Sequence, residues 1–155
     1  MRGSNDSLYA QLSTDGTTLL YGTFIGGDND RHFTGGNPSI FVDSKGDVNY
    51  ITFTDADNLY TTPGAIKSGN TESTDLYVIK WDGSKGGKTI KAATLFGGSS
   101  FEGMETHNIA ADDQGNIIIA GGTQSTDIPV TSGVVQSQKI NDGRGDSIIA
   151  VLSAD

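Results

Sequence analysis

The chain has 155 residues, a formal net charge of −9 with a pI near 4.4, no cysteine and 22 glycines. Without cysteine there are no disulfides and no thiolate metal sites. The acidic surface repels phosphate backbones and anionic bilayers, and no apolar run approaches the ~18 residues of a membrane span. The apolar share of 34% reaches the level of folded proteins once glycine is added. Glycine at about twice ordinary usage, with no Gly-X-Y period, rules out collagen and predicts many short strands joined by tight turns. Met1-Arg2-Gly3-Ser4 reads as an expression-vector scar, so residues 1–5 are set outside the fold.

In chain order, the apolar stretch 6–12 is closed by the turn cluster Ser13-Thr14-Asp15-Gly16. Residues 18–25 are rich in β-formers and stop at Gly26-Gly27, and 39–43 run into the turn Asp43-Ser44-Lys45-Gly46. Residues 47–54 are β-branched and aromatic, and 55–74 read as a long loop crossing the sheet. The same succession follows at 75–81, 89–96, 107–112 and 116–123, with a second long loop at 124–145 and a ninth strand at 146–152. No segment holds a 3.6-residue apolar period long enough for a helix.

That succession is a repeat. Asp6–Leu12 recurs 69 residues later as Asp75–Trp81, and 71 residues after that as Asp146–Leu152. Thr23-Phe24-Ile25-Gly26-Gly27 recurs as Thr94-Leu95-Phe96-Gly97-Gly98, and Asp43 with Gly46 recurs as Asp112 with Gly115. The chain therefore divides into repeat 1 (6–74), repeat 2 (75–145) and the first strand of a third (146–155). Four strands at a fixed period predict an all-β chain of β-propeller blades: two four-stranded antiparallel repeats plus one extra strand. A twisted four-stranded sheet has two faces to bury, and stacking blades about an axis buries both. Propellers use about 4–8 blades, so two repeats do not close a ring. They belong to a longer array, or three or four copies assemble with one terminal strand displaced or swapped.

The stretches Tyr21–Gly27, Ile109–Asn116, Ser125–Thr131 and Tyr60–Gly64 resemble the signatures of the bacterial seven-bladed β-propeller repeat, the SBBP type. The resemblance covers nearly the whole chain after residue 5 and implies a secreted or cell-surface microbial protein. It supplies no catalytic residues. The two copies differ at Phe53 against Gly122 and at Asn58 against Asp127, which argues against a site shared equally by both.

Several residues invite a chemical reading. Gly86-Gly87-Lys88-Thr89 looks like the tail of a phosphate loop, but Asp82 stands where the motif needs glycine, and the context is strand-turn-strand. Arg144-Gly145-Asp146 is an adhesion-type tripeptide whose Asp is the repeat's own strand-opening residue. The acidic pairs Asp28/Asp30 and Asp55/Asp57 could contribute to a calcium site, although neither completes a calcium loop. Asp43 and Asp112 read as turn formers rather than acids of catalysis. His32 and His107 have no nucleophile pattern beside them. Trp81 reads as packing, with Phe33 and Phe101 as further aromatic contacts for a protein or glycan.

The expectation is a non-catalytic binding or self-assembling scaffold, extracellular or on the cell surface. No cofactor is expected beyond a possible calcium ion. Its partners would be further copies or adjacent blades, and a protein or glycan ligand, without nucleic acid or membrane. The alternative is a fragment of a propeller enzyme, a hydrolase or lyase, whose site needs further blades.

Overall fold

The computed structural model describes residues 6–28, 38–69, 73–103, 108–140 and 143–153. Nine strands are present among them: β1 (Ser7–Leu12), β2 (Leu19–Ile25), β3 (Ser39–Val42), β4 (Val48–Thr54), β5 (Asp75–Trp81), β6 (Ile90–Phe96), β7 (Asn108–Ala111), β8 (Ile117–Thr123) and β9 (Asp146–Leu152). Each lies within a residue or so of a stretch expected from the sequence. Among the described residues the only helical turn is a 3₁₀ segment, Gly83–Lys85, in the β5–β6 connection.

The strands form three antiparallel sheets, in the orders β1-β2, β3-β4-β5-β6 and β7-β8-β9. The complete sheet straddles the repeat boundary between residues 74 and 75, because β4 pairs with β5 from Val48↔Trp81 to Thr54↔Asp75. Two strands of each repeat thus make one sheet. The hairpins β1-β2 and β5-β6 share a register irregularity at the same place, Gln11/Leu12 and Lys80/Trp81.

Turn chemistry sets the hairpins. Asp43 Oδ1 accepts from the Lys45 and Asp47 backbone N–H groups at 3.0 and 2.9 Å, and Gly46 takes φ +81°. Asp112 accepts from Asn116 N–H at 2.9 Å with Gly115 at φ +87°, so the second turn is built like the first. The 3.0-Å bond from Thr62 N–H to the Ala93 carbonyl and the 2.8-Å bond from Ile66 N–H to Thr94 Oγ1 lay the first long loop across the outer strand β6.

The middle sheet is covered on both faces. Side chains alternate along β5, so Tyr77, Ile79 and Trp81 face the β1-β2 sheet while Leu76 and Val78 face the β7-β8-β9 sheet. Every residue of β5 is buried as a result. Trp81 lies against Tyr9 of β1 (ring centroids 4.5 Å) and meets Tyr50 edge-on at 6.1 Å. On the other face Ile51 and Phe96 pack with Ile109, Ile117, Ile119 and Leu152.

Trp81 joins two sheets with a fully buried indole. Trp81→Ala will cost about 3–5 kcal/mol by chemical denaturation followed by circular dichroism, the range for large aromatic truncations in a core. A loss below about 1 kcal/mol would mean the first two sheets are not tightly joined.

Candidate functional site

The sheet junctions hold two clusters of buried charge, the chain's most distinctive chemistry. The first centres on Lys80, which is 1% exposed. It occupies the one charged position in the strand interior, on the face turned to the third sheet. Its Nζ donates to Asp43 Oδ2 at 3.1 Å and to the Gly115 carbonyl at 2.7 Å, and lies 3.3 Å from Asp47 Oδ2. Lys80 therefore ties two turns together, one in its own sheet and one in the next. Lys91 adds a 3.0-Å contact to Asp47 Oδ2, and Asp47 Oδ1 accepts from Gly83 N–H at 2.8 Å. Burial pushes both carboxyls up. For Asp43 the hydrogen bonds from Lys80, Asn49 and the Asp47 amide outweigh it. For Asp47 those from Gly83, Lys91 and Lys80 do so, and both residues end below the ordinary carboxylate range.

The second cluster surrounds the corner Gly97-Gly98. Asp75 opens β5 beneath the corner and Glu102 folds back into it, so a Cβ on Gly97 would fall on Asp75 Oδ1. Any larger residue there would push the Asp75 and Glu102 carboxyls out of place. Glu102 is fully buried and accepts from Thr123 Oγ1 (2.7 Å) and Ser125 Oγ (2.5 Å) of the third sheet and its following loop, and from Gly98 N–H (3.0 Å). Lys67 Nζ reaches Asp75 Oδ1 at 2.8 Å and the Gly98 carbonyl at 2.9 Å. Burial raises the Asp75 pKa to about 6; Lys67 opposes that rise, and contact with the Glu102 carboxylate adds to it.

The two corners meet their neighbours alike. After Gly26-Gly27, Asp28 and Asp57 exchange backbone bonds of 2.8 and 2.7 Å. After Gly97-Gly98, Ser99 N–H donates to Asp127 Oδ1 at 2.9 Å and Ser100 N–H to Ser125 Oγ at 2.8 Å. In both cases a double glycine lets one sheet's corner approach the loop that follows the second strand of the next sheet.

The residues flagged by sequence fall as follows. Asp43 and Asp112 are turn residues, and Asp43 is also half of an ion pair that sequence reasoning missed. The available signal was a lone Lys in the apolar run Leu76–Trp81, where the equivalents are Gln11 and Val151. Trp81 is sealed inside a junction, with no ring face open to a sugar. Phe101 is half-buried beside Phe53, with ring centroids 6.4 Å apart. Asp28 accepts from Asn58 Nδ2 at 3.2 Å. The stretch 86–89 lies in the β5–β6 hairpin rather than at a helix start. Arg144-Gly145-Asp146 is at the entry to β9, where Asp146 Oδ2 accepts from Gln136 Nε2 at 3.1 Å. Asp30, His32, Phe33 and His107 lie outside the described residues. Among the described residues no group of three or more His, Asp or Glu side chains is placed to hold a metal ion. Chemically, both clusters direct their charge at backbone and side-chain groups of the adjoining sheet, which makes them clasps.

No family model matches the chain, and neither the curated proteins nor the solved structures yield a match.

Two outcomes follow from the clasps. Lys80→Met leaves Asp43 and Asp47 buried beside an apolar side chain. It should cost about 3–5 kcal/mol at pH 7. The deficit shrinks as pH falls below about 4 and the carboxyls take up protons, an effect read by urea titration at several pH values. Asp75 behaves in the opposite sense. Its folded pKa lies above the 3.8 of a free side chain, so its stabilisation is full below pH 3.8 and is lost as pH rises to about 6. At roughly 1.4 kcal/mol per unit the loss is about 3 kcal/mol. Asp75→Asn removes that step from the stability–pH curve; an unchanged step would assign it to another group.

Proposed function

We propose that the chain is a non-catalytic module of a β-propeller, a scaffold whose three sheets are consecutive blades stacked about a common axis. The observation that carries this reading is the sameness of the two junctions. Sheet one meets sheet two as sheet two meets sheet three: a double-glycine corner against the loop beyond a second strand, and an apolar face on each side. Repeating one junction at a constant angle generates a ring. The middle sheet, with four antiparallel strands and both faces buried, has the form of a blade. The buried charge is spent on holding neighbours, which fits a scaffold better than a reaction centre. The exposed loops are then the surface for a protein or glycan ligand in a secreted setting.

The test is to lengthen the array. Chains extended by further tandem copies of residues 75–145 should, within the ~4–8 blades of known propellers, close into discs with a central channel visible by electron microscopy. A rod that lengthens with every added copy would overturn the propeller in favour of an open solenoid.

A further inference from the structure

We infer that the β1-β2 hairpin of a second copy of this chain completes the third sheet, with β1 pairing to β8 in the register β9 now holds and β9 released. This rests on the blade reading above. The third sheet has three strands, and on β9 the edge that β6 covers on β5 carries no strand among the described residues.

The socket for the absent outer strand is already shaped. In the complete sheet, the loop through Thr62 and Ile66 is fastened to Ala93 and Thr94 of β6. The matching loop through Thr131 and Val135 has no strand beneath it among the described residues. Val135 is fully exposed, and a hollow of about 130 Å³ lies inside the loop, bounded by Gln136 and Ile148. A second hollow of about 250 Å³ separates Thr94 of β6 from Leu152 of β9.

β2 carries the side chains to fill it. It is the sequence equivalent of β6, and Thr23 Oγ1 donates to the Phe24 carbonyl (3.1 Å) as Thr94 Oγ1 donates to that of Leu95 (2.9 Å). Leu95 is fully buried, whereas Phe24 is 76% exposed. Across the hairpin Leu8 and Leu12 are 62% and 55% exposed, although their equivalents in β5, Tyr77 and Trp81, are core. An apolar face of this kind requires a cover.

The side chains that β9 turns to the middle sheet, Ile148, Ala150 and Leu152, are matched in β1 by Leu8, Ala10 and Leu12, which there lie exposed on the side away from the middle sheet. The two strands differ on their other side. Tyr9 of β1 is 5% exposed and packed on Trp81, whereas the equivalent Ile149 of β9 is 78% exposed. Releasing β1 would break the Tyr9–Trp81 contact, so β9 is the strand that leaves. The register Thr123↔Asp146 to Ile117↔Leu152 then becomes Thr123↔Asp6 to Ile117↔Leu12, with Ile118 opposite Gln11 of the second copy. Each copy donates a hairpin at one end and accepts one at the other, a head-to-tail contact that can close into a ring.

The unmodified chain should show by light scattering a mass three or four times 16.2 kDa, and Phe24→Asp should lose that assembly while keeping its circular dichroism. Because the chain lacks cysteine, register can be read directly. Full-length Ile118→Cys and Gln11→Cys chains, refolded together and oxidised, should give a covalent dimer as the main product. Ile149→Cys with Thr23→Cys, which reports β9 pairing to β2 instead, should give none. A dimer from the second pair overturns the proposed exchange, as does an assembly that neither pair crosslinks. A monomer overturns it too and leaves the socket to another chain or a later repeat. If lengthened arrays still close into discs, the blade reading survives that result.

Discussion

The structure depends on the burial of one strand from both sides. A sheet of four short strands cannot keep water from both its faces, and β5 supplies apolar side chains to each. Its alternation sends an aromatic set one way and an aliphatic set the other, and the two flanking sheets are positioned by those sets. Once β5 is enclosed, the remaining details follow as conditions of close approach: glycine at the corners, Asp-Gly turns where hairpins reverse, and charge only where a partner waits across the junction.

The two ionic clusters show how polar groups survive in such a place. Lys80 is tolerated because two carboxylates and a carbonyl surround it. Those carboxylates are tolerated because their remaining oxygens meet backbone N–H groups or Lys91. Asp75 and Glu102 use another solution, two acids in contact with the Asp75 pKa raised towards neutrality. The Lys80 clasp therefore weakens as its carboxylates take up protons in acid, whereas the Asp75 contribution is lost as pH rises from 3.8 to about 6, so the two respond to pH in opposite senses.

Much of this was legible in the residues. Strand positions followed from β-branched and aromatic runs bounded by Gly, Asp and Ser, and the Asp43 and Asp112 turns were readable from their spacing to glycine. The pairing of β4 with β5 across the repeat boundary was not, because a period reports what recurs and not where a sheet begins. Lys80 and Glu102 were missed for a related reason. Their meaning lies in groups that are distant in sequence, Asp43 and Gly115 for one and Thr123 and Ser125 for the other. Trp81 was read as packing for the right reason, since it occupies a position that elsewhere holds leucine.

The offset between repeat and sheet bears on how the chain comes into being. A segment ending at residue 74 would carry the β3-β4 hairpin without β5, the strand that pairs along the open edge of β4. On the ribosome that hairpin has to wait until Phe96 has emerged before its sheet is whole, and in the interval it is exposed to wrong partners. A chain divided at residue 74 would leave two strands of the middle sheet on either piece, so that sheet can only be made by both lengths together.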